Sequence, residues 1–180
     1  MARPIKERAK WFLTHLPSDV GRCLEHTHDA IDLPAAGVNS ANDAVSYLRG
    51  HGRLYGGQPP EGSMVLWTSS TFGHAALSLG RSRITRRYII ASTDVHGPRT
   101  VGKVPLGHIA QNWGHQYAGW SDWYGGEEYE VGADMPLSDA DINRVARAVW
   151  EHQLENTSDA KKQKYKASWF LNNILSKLKP

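Results

Sequence analysis

The feature that most constrains this chain is a change of period at Gly62. Before it, apolar residues recur at helical spacing; after it, they arrive in short runs bounded by turn residues. Ile5, Ala9, Trp11, Phe12 and Leu16 predict a first helix over residues 4–16, opened by Pro4 and stopped before Pro17. A second helix is expected from Ser18 or Asp19, either a suitable cap, to about Ile31, and a third over Ser40–Leu48. His51–Gly62 is a glycine-rich loop. Beyond it Met64–Trp67, His74–Leu79, Tyr88–Ser92 and a weaker Val101–Leu106 read as strands, from their β-branched and aromatic content. Helices first and strands after predict an α+β fold with a small antiparallel sheet, not alternating βαβ units.

Near Gly132 the pattern turns helical again. Ser138 is a cap with Asp141 three residues on, and Ile142, Val145, Val149 and Trp150 follow. Ala160–Lys179 then carries Ala167, Leu171, Ile174, Leu175 and Leu178 on one stripe. The chain thus divides into a mixed domain over 1–132 and a helical tail over 133–180, which would serve as linker, self-association surface or wall contact.

Hydrophobic residues at 40% and charged ones at 22% are ordinary for a globular domain and exclude a disordered one. No apolar run approaches the roughly 20 residues that cross a bilayer. The basic N-terminus lacks a secretory apolar stretch, so synthesis and folding in a cytosol are expected. A single cysteine excludes an internal disulfide and a zinc site built on several thiolates. The net charge of +3 is a mild bias towards polyanions. No basic-aromatic stripe marks the first 130 residues, so no nucleic-acid partner is expected.

That cysteine, Cys23, is the candidate nucleophile. A thiol attacks carbonyls as thiolate, which a helix N-terminus or a neighbouring imidazolium favours. Cys23 follows Gly21 near a helix start, and His74 follows Gly73 at a strand start. A thiol at a helix start set against a base at a strand start is the papain-like arrangement. The third group, which orients the imidazole, would come from the next strand, where Ser92, Asp94 and His96 share a face. Asp94 is the strongest acceptor and therefore the expected partner. His28 and Asp32 could face one ion, but a solvated helix face accounts for them, and neither metal nor cofactor is expected. Trp67, Trp113 and Trp120 are candidate substrate contacts, although aromatic residues after a sheet, such as Trp113, Tyr117, Trp120, Trp123 and Tyr124, more often close its core.

Pro60-Glu61-Gly62-Ser63-Met64-Val65-Leu66-Trp67 followed by Gly73-His74-Ala75-Ala76-Leu77-Ser78-Leu79-Gly80 resembles the core of the CHAP and NlpC-type families of cysteine, histidine-dependent amidohydrolases and peptidases. Ser92-Thr93-Asp94, Trp113-Gly114 and Gly119-Trp120-Ser121 are similar to lysins of phages that infect actinobacteria. The resemblance covers roughly Gly21–Trp123. It departs at Gly21-Arg22-Cys23-Leu24, where NlpC-type proteins present Asp-Cys-Ser, at Ser63 in place of Asp, and at Ile90 in place of a histidine. It implies a phage endolysin-type hydrolase that cuts a peptide or amide bond of bacterial peptidoglycan through a Cys–His thioester. Such an enzyme would be made in the host cytoplasm and reach the wall once the membrane is opened. The alternatives are a non-catalytic virion or wall-binding protein that keeps the fold, and a cysteine protease acting on protein.

Overall fold

The computed structural model describes residues 2–132; the expected helical tail, with its self-association stripe, lies outside the described residues. Three helices precede the sheet. The first, α1 (Ile5–Thr14), ends where His15 turns extended. The second, α2 (Cys23–Ile31), begins later than its capping signals suggested. The Asp19 carboxylate accepts the Val20 N–H at 2.7 Å and so closes a local turn instead of opening the helix. Cys23 is consequently the first helical residue. The third, α3 (Ala41–Gly50), is capped by Ser40, whose Oγ accepts the Asp43 N–H.

Five strands form one antiparallel sheet: β1 (Met64–Thr68), β2 (His74–Arg81), β3 (Tyr88–Thr93), β4 (Val101–Pro105) and β5 (Gln116–Ser121), in spatial order β4-β3-β2-β1-β5. A short helix, α4 (His108–Trp113), links β4 to β5, and a two-residue hairpin of β6 (Trp123–Tyr124) and β7 (Glu127–Glu128) follows. The α+β class and the four expected strands are present; α4 and β5 were not anticipated. The β5 run contains Gly119 at φ +137, a position where a Cβ would collide with the Tyr55 carbonyl oxygen. This close approach lets the Tyr55 and Trp120 backbones exchange hydrogen bonds at 2.8 and 2.9 Å.

Strand alternation divides the core into two layers. Met64, Leu66, Ala75, Leu77 and Ala91 face the helices and pack with Phe12, Cys23, Ile31, Val45 and Leu48. Val65, Trp67, Ala76, Ile90 and Val104 face the other way and pack with Ile109 of α4. Arg8 ties α1 to the sheet's entry. Its buried guanidinium donates to the carbonyls of Arg3, Gly62 and Glu130 at 2.6–2.9 Å and lies 5.2 Å from the centroid of the Tyr129 ring.

Candidate active site

The loop before β2 is fixed from α3. The Asn42 amide donates to the Ser69 and Thr71 carbonyls at 3.0 Å each, and its oxygen accepts the Ser69 N–H at 3.1 Å. Gly73 must pass through this knot at φ +72, where a Cβ would stand 2.5 Å from the Trp67 carbonyl oxygen and 2.6 Å from Asn42 Oδ1. The Gly-His pair is therefore a backbone requirement, and it sets His74 as the first residue of β2.

His74 is 5% exposed. Its Nε2 lies 2.8 Å from Ser92 Oγ on β3. Ser92 Oγ also lies 3.3 Å from the Thr93 carbonyl; in the tautomer in which the hydroxyl donates there, it accepts from Nε2–H and the lone pair is on Nδ1. Trp113 closes over the ring edge-to-face at 4.9 Å between centroids, and Trp67 sits at 6.0 Å. Burial, with a smaller push from His115, drives the His74 pKa down to about 3. The imidazole is neutral throughout the physiological range.

Cys23, 6% exposed, packs in the helix-side layer against Ala75, the neighbour of His74. Burial pushes its thiol pKa up, against the pull of the Ala75 and Leu24 backbone N–H groups, and the Asp94 carboxylate adds to the rise. Among the described residues, its thiol has the Gly21 carbonyl at 4.0 Å as its side-chain hydrogen-bond partner, and no hydrogen bond joins it to His74. The cause is strand parity. His74 pairs with Trp67 across β1 and takes the α4 side, whereas Ala75 pairs with Leu66 and takes the helix side. Thiol and imidazole converge on the same end of β2 from opposite layers, each uncharged.

The third position differs from the sequence expectation. Asp94 adopts φ +61 in the turn after β3, where Oδ1 accepts the Arg99 N–H at 2.7 Å. Its carboxylate closes that turn, and Ser92 holds the imidazole in its place. His96, the other candidate, sits in the same turn with its N–H on Thr100 Oγ1. Of the candidate substrate contacts, Trp67 is fully buried and Trp120 nearly so, its Nε1–H donating to the Gly56 carbonyl at 3.0 Å. Both are core residues because their strand positions point inward; Trp113, 36% exposed, is the one at the surface beside His74. The α2 histidines are not a solvated face: His26 is buried and donates to the Phe12 carbonyl at 3.0 Å, and His28 stacks on Tyr124. His115 belongs to none of the motifs above. It stands 5.9 Å from Trp113, with a buried Nδ1 that has no hydrogen-bond partner among the described residues. Only its spacing of two residues from Trp113 could have flagged it. Compared with protein-family models, curated proteins and solved structures, the chain matches none of them.

Proposed function

We propose that this protein is a cysteine-dependent amide hydrolase of papain-like design that cuts a peptide or amide bond in bacterial peptidoglycan, as a phage endolysin does. The observation that carries the reading is the pairing at the start of β2. A thiol on the first residue of a helix lies beside the residue following a histidine, and that histidine's far nitrogen is engaged by a hydroxyl on the adjacent strand. The resemblance of Pro60–Trp67 and Gly73–Gly80 to CHAP and NlpC-type sequences supports the substrate class.

In this mechanism Cys23 Sγ attacks the scissile carbonyl while His74 Nδ1 takes the thiol proton. The same proton then passes to the leaving amine, and water releases the acyl group from the thioester. Ser92 orients the ring through Nε2. The Cys23 backbone N–H, at the helix start, faces the developing oxyanion. The neutral, separated pair must be brought together for this to happen. Because His74 lies on the α4 face of the sheet, a turn of its side chain alone does not reach the thiol; the first residues of β2, at Gly73-His74, must rearrange to carry the ring to the helix-side layer. Proton transfer then accompanies attack, with no standing thiolate–imidazolium pair.

A second reading, a wall- or virion-binding protein without turnover, is favoured by the missing Cys23–His74 hydrogen bond. Mass spectrometry of material released from purified sacculi separates the two. Hydrolysis of peptide or amide bonds yields new free amines and carboxylates; new reducing sugar ends, or no release beside tight binding, would contradict the proposal.

A further inference from the structure

A second feature lies at the other end of β2 and takes no part in the chemistry above. A cleft of about 460 Å³ is lined by Arg81, Arg86, Arg87, Tyr88, His108 and Gln111, among others. From His74 to Arg81 is one strand length, roughly 20 Å at the rise of an extended chain, so the cleft is separate from the candidate active site.

Its cations are held in place by backbone. Arg81 Nε donates to the Arg86 carbonyl at 2.9 Å, Ser82 N–H to the Arg87 carbonyl at 2.8 Å, and Arg86 N–H to the Ser82 carbonyl at 2.9 Å. Leu106 N–H donates to the Tyr88 carbonyl at 2.9 Å and ties the α4 side to the β3 side. Among the described residues no carboxylate forms an ion pair with Arg81, Arg86 or Arg87. The sequence explains why. Residues 62–121 contain six Lys and Arg (Arg81, Arg83, Arg86, Arg87, Arg99, Lys103) against one acid, Asp94. This stretch alone carries +5, against +3 for the whole chain, so the rest of the protein is net acidic and the positive field concentrates here.

We infer that this cleft binds phosphate oxyanions, with Arg81 and Arg87 as its principal contacts. Guanidinium groups present forked donors that match phosphate oxygens two at a time, and several together suit an anion of more than one charge. Tyr88, Gln111 and His108 add further hydrogen-bonding groups to the lining. Free phosphate and a phosphodiester chain share this chemistry.

The test is calorimetry on the full chain at low ionic strength, with inorganic phosphate and with a short poly(glycerol phosphate) as probes. Binding should weaken at least tenfold in Arg81→Gln/Arg87→Gln, at an unchanged melting temperature, and should weaken as salt rises. Tighter binding of the chain than of inorganic phosphate assigns the site to a polymer, and equal binding assigns it to the free anion. Absence of binding by both probes, or affinity that the double variant leaves intact, overturns the inference. Cys23→Ser should bind as wild type does, so the result stands apart from the thiol chemistry.

Discussion

The two ends of β2 place polar groups under opposite regimes. At the first residue an imidazole is enclosed by Trp67, Trp113 and Ser92 and has lost its charge to burial. At the last, Arg81 is exposed on a cationic cleft that the described residues leave without acidic partners. The difference teaches where each kind of function can reside. A buried neutral base stores chemistry that operates only when packing opens, whereas an exposed guanidinium is ready for long-range attraction and contributes little to folding.

The largest effect expected from this contrast is in acid. A histidine with a pKa of 6.5 unfolded and about 3 folded binds its proton more readily in the unfolded chain. Its contribution is complete above pH 6.5 and is lost as pH falls towards 3. Roughly 3 kcal/mol should disappear between pH 7 and pH 4 on this account. Urea titrations at those two pH values should show most of that loss in the wild type and much less in His74→Gln. Equal pH dependence in the two proteins would mean that His74 is solvated.

Ser92→Ala should come next. It leaves the buried Nε2 without its hydrogen-bond partner, at about 1–3 kcal/mol of stability, and removes the group that orients the ring. Turnover should fall at least tenfold, or about 1.4 kcal/mol in the barrier. Asp94→Ala should cost only its turn contact, about 1 kcal/mol, with turnover within about threefold, near 0.65 kcal/mol. The reverse order in a side-by-side assay of the two variants would restore the carboxylate to the third role.

That reversal of roles shows what the sequence could and could not convey. Period and turn chemistry were enough to identify three helices, four strands and the Gly73-His74 strand start, because each signal is local. They also put Ser92 and Asp94 on one face. They could not say that the strand ends at Thr93 and that Asp94 swings into a turn to meet the Arg99 N–H. Strand β5 was hidden because Gly119 breaks the run and its backbone also pairs with Tyr55, far away in sequence, and the six residues of α4 are too few to show a helical period. No local signal marks Arg8 on α1 as buried, yet its guanidinium is enclosed and donates to carbonyls of three separate segments. Parity was legible for each strand, but only the pairing of His74 with Trp67 and the seating of α2 against Ala75 placed imidazole and thiol in different layers.

The smallest expected effect belongs to the exposed end. Arg81→Gln should change stability by no more than about 0.5 kcal/mol in urea unfolding at pH 7. A larger loss would show that the Arg81 bond to the Arg86 carbonyl supports the β2–β3 turn and would blur the contrast between the two ends.

The most direct test of the central claim is the rate at which purified sacculi are solubilised, followed by turbidity for the wild type, for Cys23→Ser and for the wild type in EDTA. The account predicts clearing by the wild type, undiminished by the chelator, and none by a folded Cys23→Ser. Clearing that survives the substitution, or that the chelator abolishes, would contradict it.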